Sequence, residues 1–303
     1  MNKILKINDK NFLKKFNLLI KKRKFDADKV DLIVKEILQG IKSGGDNTLI
    51  KLTKKFDNFS VKTIKNLVVF QDELDKSYKK TNLRVLKAIR KAFSRIKKYH
   101  QRQKPKSEFY KDKDGVYLGS QWRPIESVGL YVPGGTASYP SSVLMNAIPA
   151  IVAGVKRIVM VVPTPNGEIN PVIFAVAKIL GIDEIYKIGG AQAIGALTYG
   201  TKSIKKVDKI CGPGNAFVAS AKRQVFGTVG IDMIAGPSEI LVVADEDNDP
   251  KHIAIDLLSQ AEHDELAQSI LITDSNDFAN KVKLSIKKQL KLMNRSKIAK
   301  KSW

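Results

Sequence analysis

From residue 127 to residue 226, short runs of β-branched and aliphatic residues alternate with helical stretches. The strand-like runs are Ser127-Val-Gly-Leu-Tyr-Val132, Arg157-Ile-Val-Met-Val-Val162, Glu184-Ile-Tyr-Lys187 and Lys206-Val-Asp-Lys-Ile210. Helical stretches at 141–154, 171–180, 191–199 and 215–226 follow them in turn. Runs this short with helices between them can only be joined as βαβ units, which build a parallel sheet covered by helices. A second such run follows: Glu239-Ile-Leu-Val-Val243, a helix over 250–265, Ser269-Ile-Leu-Ile-Thr273 and a helix over 276–293. The seam between them lies near Gly230–Gly236. The expected fold class is α/β, with two Rossmann-like parallel-sheet units and an N-terminal helical region.

Residues 1–105 read as helix. Val30, Ile33, Val34, Ile37 and Ile41 recur at helical spacing, and Gly44-Gly45 is expected to stop that helix. A second helix is expected from Asp46 toward Phe56. A third is expected from Thr81 to Gln103, with Leu83, Leu86, Ile89, Phe93 and Ile96 on one face. Nothing here has catalytic spacing. After Asp114 the texture changes, and Val116-Tyr117-Leu118 reads as a strand. At the other end, Ile298-Ala-Lys-Lys-Ser-Trp303 reads as a helix cut partway. The amphipathic stretch over 281–303 is expected to fray for want of a partner, because short isolated helices are marginal.

The net charge of +23 would suggest nucleic acid if it were spread evenly. It is not: residues 1–120 carry 32 basic and 13 acidic side chains, 121–280 carry 12 and 17, and 281–303 carry 9 and none. Lysine outnumbers arginine 44 to 9, and aromatics are not interleaved with the basic runs. Readers of bases and phosphates favour the arginine fork and aromatic stacking platforms. The lysines are therefore read as a solvated surface, and nucleic acid is not an expected partner. One cysteine, Cys211, excludes an internal disulfide and a cysteine-based zinc finger. With three histidines, His100, His252 and His263, any metal site must borrow other donors. The N-terminus never reaches the apolar core of a secretory signal. The longest uncharged stretch, 127–155, carries three prolines and is too polar to span a membrane. No membrane partner is expected, and the cytoplasm is the expected location.

In open α/β sheets, ligands bind beyond the carboxyl ends of strands. Those ends are unusually glycine-rich: Tyr131-Val-Pro-Gly-Gly135, Gly189-Gly-Ala-Gln192 and Cys211-Gly-Pro-Gly-Asn215. Asp232-Met-Ile-Ala-Gly-Pro-Ser-Glu239 precedes a further strand. Glycines let backbone approach a ligand and leave N–H groups free for phosphate. None is a dinucleotide fingerprint, since Gly212-Pro-Gly-Asn-Ala-Phe217 has phenylalanine where the third glycine belongs. On the 250–265 stretch, Ser259-Gln-Ala-Glu-His-Asp264 places Gln260 and His263 on one helical face, where they could share a divalent cation; Asp256 could join them. The alternative is a helix whose polar groups satisfy backbone. Cys211, between a strand end and a helix start, is where a thiol pKa is expected to fall, and it is either a nucleophile or a small packed residue. His252 is expected to be solvated, and His100 has no evident partner.

At these motifs the sequence resembles the histidinol dehydrogenase family. The matching residues are Gly129-Leu-Tyr-Val-Pro-Gly-Gly135, Gly189-Gly-Ala-Gln-Ala-Ile194, Gly212-Pro-Gly-Asn215, Ile231-Asp-Met-Ile-Ala-Gly-Pro-Ser-Glu239 and Asp256-Leu-Leu-Ser-Gln-Ala-Glu-His263. The resemblance implies NAD and zinc as cofactors and L-histidinol as substrate, oxidised through histidinal to L-histidine. It puts Tyr131, Gln192 and Asn215 on NAD, Ser238 on substrate, and Gln260 and His263 on both zinc and substrate. It implies a homodimer. It divides the chain into an arm, 1–25, a discontinuous first α/β domain, 26–129 plus 237–303, and a second, Rossmann-like domain, 130–236. Members of the family are longer, with an acid–base Glu-His pair and two more zinc ligands downstream. No histidine follows His263 here, and the sequence stops at Trp303. The expectation is a truncated chain with no catalytic residue of its own, the Glu-His pair lying beyond Trp303. A non-catalytic NAD-binding remnant is the alternative, as is an aldehyde dehydrogenase-like enzyme using Cys211.

Overall fold

The structure is a computed structural model that describes residues 4–134, 139–234, 238–263, 265 and 267–303, without the side chains of 21–27. Gly135, Ala235-Gly-Pro237 and Asp264 of the motifs above lie outside the described residues. The chain divides into two compact units, residues 28–234 and residues 1–27 with 235–303.

The N-terminal half is helical: α1 (Phe12–Asp57), α2 (Gln71–Lys80) and α3 (Leu83–Gln103). Gly45 breaks the helical geometry of α1, so the expected stop at Gly44-Gly45 is a kink between two helical segments. A hairpin of β1 (Glu108–Lys111) and β2 (Tyr117–Ser120) follows. Then come β3 (Ser127–Tyr131), α4 (Pro140–Ala153), β4 (Arg157–Val161), α5 (Pro171–Leu180), β5 (Glu184–Tyr186), α6 (Gly190–Tyr199), β6 (Lys209–Cys211), α7 (Ala216–Val225) and β7 (Gly230–Ile231). Sequence reading missed α2, β1 and β7. These are short, polar or built on alternations too brief to register.

The helices start and stop where their ends can be satisfied. Asn170 caps α5 by accepting from Val172 N at 2.9 Å, Pro171 occupies the first helical turn, and Gly181 ends it in the left-handed region. Asn215 caps α7 in the same way.

Strands β3 to β7 form one parallel sheet in the order β5-β4-β3-β6-β7. All five residues of β3 are buried, as a strand covered on both faces requires. Val128, Leu130, Met160 and Ile185 point to one side, where α3, α4 and α5 pack. Val159, Val161 and Ile210 point to the other, against α6, α7 and the α1 residues Val34, Ile37, Leu38, Ile41 and Leu49. Residues 28–57 supply part of the apolar cover on one face of the five-stranded sheet, and 28–234 form one compact unit.

The second unit contains β8 (Glu239–Val243), α8 (Pro250–Ala261), β9 (Gln268–Ile272), α9 (Asn276–Gln289) and α10 (Ser296–Ser302). Strands β8 and β9 pair in parallel. Ile253, Leu257, Phe278, Val282 and Ile286 form the core beneath their inner face.

The expectation that 281–303 lacks a partner is corrected here. Val282, Ile286, Leu290 and Ala299 are buried in this core, and the half-buried Trp303 packs against it. The Trp303 N–H donates to the Ala299 carbonyl at 2.9 Å, and Ser302 Oγ donates to the Ala267 carbonyl at 2.9 Å. The helical end is thus held by apolar burial against α8, a contact that its own charge-rich sequence does not reveal.

Two Rossmann-like parallel units with a helical N-terminal region are observed. Among the described residues, no helix is long and apolar enough to cross a membrane.

Candidate functional site

The strand order of the larger sheet reverses between β3 and β6. The first strand of the series, β3, runs outward to β4 and β5 on one side and to β6 and β7 on the other. Connections leave the carboxyl ends of β3 and β6 in opposite directions, and the resulting crevice is where such sheets bind ligands. Tyr131 is the last residue of β3, and Cys211 is the last of β6. Both chain segments leave the sheet there through glycine-rich turns.

Tyr131 is buried, and its hydroxyl accepts the Gly190 N–H at 3.1 Å. Burial pushes the phenol up to about 12; the Gly190 N–H opposes that and the Asp57 carboxylate adds to it. Gly190 opens α6 with φ of +60°, a conformation that favours glycine. Any side chain there would run into Gln192 Oε1, so the Gln192 side chain lies back over this turn. Gln192 is 2% exposed, and its Nε2 has no hydrogen-bond partner. A buried amide N–H left unpaired costs about 1–3 kcal/mol, and a ligand acceptor beside the Gly190 turn would satisfy it.

The Gly212 loop is the other wall. Gly212 has φ of +122°, and a Cβ there would collide with the Tyr131 carbonyl oxygen. The loop therefore lies directly on the end of β3. Its conformation is held by an ion pair whose ammonium is buried: Lys222 Nζ donates to the Gly212 carbonyl at 3.0 Å and is ion-paired with Asp232, which in turn accepts the Gly212 N–H at 2.8 Å. Burial opposes ionisation of Asp232, but Lys222 and the N–H groups of Gly212 and Met233 outweigh it and hold the carboxyl below its usual range. Sequence reading missed Lys222 altogether, because nothing in its spacing marks it. Asn215 ends this loop. Its Oδ1 accepts from Phe217 N and Val218 N at 3.1 and 3.2 Å. It is exposed, and its amide NH₂ is the group it can offer a ligand.

Cys211 does not have the expected low pKa. Burial, with the nearby Asp232 carboxylate, pushes its thiol up, which is the wrong direction for a nucleophile at neutral pH. His100 has a partner after all: Nδ1 lies 2.7 Å from Gln103 Oε1. His252 is exposed, as expected.

In the smaller unit, Ser238 is exposed immediately before β8, and its carbonyl accepts from Gln268 N at 3.1 Å. The helix expected over 250–265 ends at Ala261, so His263 stands on the turn beyond it rather than on the helix. That turn keeps the spacing: His263 N donates to the Gln260 carbonyl at 3.1 Å. Gln260 is half-buried and His263 exposed. Among the described residues, no group of three or more His, Cys, Asp and Glu side chains could hold a metal.

The histidinol dehydrogenase family model matches residues 20–303, so the match runs through Trp303. A histidinol dehydrogenase of Agrobacterium fabrum is 54% identical over 293 residues, 97% of this chain and 68% of that protein. One of Rhodospirillum rubrum is 52% identical, over 99% of this chain and 69% of its own length. The crystal structure of the histidinol dehydrogenase from Elizabethkingia anophelis superposes with a TM-score of 0.77 and 42% identity, covering 89% of this chain and 62% of that one. The chain thus spans about two thirds of the length of the relatives it matches.

Proposed function

This chain belongs to the histidinol dehydrogenase family, and from that premise we propose that it carries the NAD-binding part of an enzyme oxidising L-histidinol through histidinal to L-histidine. Bound NAD would supply the hydride acceptor, one NAD for each of the two oxidations. Tyr131, Gln192 and Asn215 are the proposed NAD contacts. The Tyr131 phenol stays neutral across the physiological range and holds the Gly190 turn. Gln192 offers a buried amide N–H, and Asn215 offers an amide at the start of α7. A side chain at Gly190 would meet Gln192 and one at Gly212 the Tyr131 backbone, so both turns stay bare. These residues fit a dinucleotide. They bind, orient and exclude water, so this chain's contribution is positioning.

Ser238, Gln260 and His263 are the proposed substrate contacts, and Gln260 and His263 the proposed zinc ligands. Two donors fall short of the roughly three protein ligands a catalytic zinc site takes. We place the other donors, and the acid–base Glu-His pair, beyond the equivalent of Trp303, in the part of the relatives' length that this chain does not match. We further propose a cytoplasmic homodimer as the setting.

The observation that carries the NAD reading is the buried, unpaired Gln192 amide folded over the Gly190 turn beside Tyr131. Calorimetric titration of the 303-residue chain with NAD tests it. Saturable binding is expected, weakened roughly tenfold by Gln192→Ala, the loss of about one buried hydrogen bond. Absence of saturation up to millimolar NAD would overturn the reading. With histidinol, NAD and zinc supplied, the chain alone is expected to form no NADH. Turnover at an ordinary rate, about 1–10³ per second, would place the acid–base residues within it.

A further inference from the structure

Asp57 is the last residue of α1 and is 9% exposed. Its Oδ2 is fully buried and has no hydrogen-bond partner. A carboxylate there is disfavoured twice, by loss of water and by the negative end of the helix dipole. Burial pushes its carboxyl up to about 6, so it is mostly charged at neutral pH despite that cost.

Its surroundings place it at the carboxyl ends of β3, β4 and β5. Asn58 donates to Asn166 Oδ1 at 2.7 Å, and the Phe59 ring packs against Gly167, so the end of α1 sits on the loop that leaves β4. Pro163, in the same loop, fills the space beside both Gly134 and Gly189, the turns that leave β3 and β5. The loops of three adjacent strands therefore converge with the end of α1. Asp57 also acts electrostatically on the Tyr131 phenol. Thr164 in that loop is 2% exposed, and its Oγ1 is likewise buried without a partner. With Gln192 Nε2, three unsatisfied polar groups border one crest of the sheet: a carboxylate acceptor, a hydroxyl and an amide donor. A polar ligand seated there would satisfy all three.

We infer that Asp57 is a further dinucleotide-binding residue, its free carboxylate oxygen accepting hydroxyl hydrogens from a ribose diol of NAD, with Thr164 beside it. A carboxylate is the usual partner of a ribose diol, since it accepts two hydrogen bonds and needs to donate none. This rests on the NAD reading above and extends it to a residue outside every motif that led there.

The test compares the 303-residue chain with its Asp57→Asn variant, which keeps the shape and removes the charge. NAD affinity is read by calorimetry and the unfolding midpoint without ligand by circular dichroism. The expected result is NAD affinity reduced at least fivefold with an unchanged or raised midpoint. A merely structural aspartate would lower the midpoint instead. Parallel titrations with AMP and with nicotinamide mononucleotide assign the diol: the fragment that loses the same factor carries it. Equal NAD affinity in both proteins would overturn the inference and leave the NAD reading standing. Failure of the unsubstituted chain to bind NAD would overturn both. Thr164→Val serves as a second variant, expected to weaken NAD by a smaller factor at unchanged secondary structure; no change with it and with Asp57→Asn would remove the site.

Discussion

Lys222 and Asp232 grip the two polar groups of a single peptide residue, the ammonium taking the Gly212 carbonyl and the carboxylate taking its N–H, while pairing with each other. The loop that ends β6 is thereby held against the end of β3 by charge.

Removing either partner is expected to be unequal in cost. Lys222 is 4% exposed and Asp232 28% exposed, so Asp232→Asn strands the more deeply buried charge. A loss of about 3 kcal/mol is expected for Asp232→Asn, and less for Lys222→Met, because breaking a buried pair leaves the survivor uncompensated. Urea unfolding of the two variants checks the order. The Asp232 contribution is present above the ordinary carboxylate pKa and is lost as pH falls through its lower folded value.

Gly212→Ala is expected to be worse than either. The new Cβ would meet the Tyr131 backbone at a φ of +122°, and neither side can yield without moving a strand end. A destabilisation of about 3 kcal/mol or more is expected, with NAD binding lost. A thermal midpoint close to that of the unsubstituted chain would contradict the close approach.

Asp57 makes a prediction of opposite sign. Its folded pKa of about 6 lies above its ordinary 3.8, so ionisation costs stability as pH rises from the unfolded to the folded value. Asp57→Asn should therefore stabilise the chain above pH 6, by up to about 3 kcal/mol, and leave it unchanged near pH 3.5. Chemical unfolding at pH 4 and pH 8 measures the difference.

Tyr131→Phe removes the acceptor of the Gly190 N–H. A loss of about 1–2 kcal/mol is expected for an orphaned buried donor, with weaker NAD binding. In the unsubstituted chain, the phenolate absorbance of Tyr131 and Tyr186 should appear near 12. Tyr131→Phe should shrink that absorbance.

Zinc binding to this chain is expected to be weak and to depend on His263. Equilibrium dialysis of His263→Ala and Gln260→Ala against the unsubstituted chain reads it. Tight binding unaffected by either change would mean that other donors hold the metal.

The sequence by itself determined the parallel sheets, because β-branched runs alternating with helices join as βαβ units. It marked the glycine-rich strand ends, and through them Tyr131, Gln192 and Asn215, because close backbone approach tolerates only glycine. It placed Gln260 and His263 three residues apart, a spacing the turn after α8 preserves although the helix ends early. Tertiary structure alone decided the rest. Lys222 and Asp57 look like any surface charge in a lysine-rich chain, and only folding buries one in an ion pair and the other without a partner. Trp303 reads as the cut end of a helix, and only folding seats it on the core beneath β8 and β9. The thiol of Cys211 was judged from its position between strand and helix, but the burial and the Asp232 carboxylate that raise its pKa come from residues distant in sequence. Local pattern fixes backbone hydrogen bonding, whereas desolvation and charge pairing depend on which distant segments meet, and those are the terms that set the chemistry of a side chain.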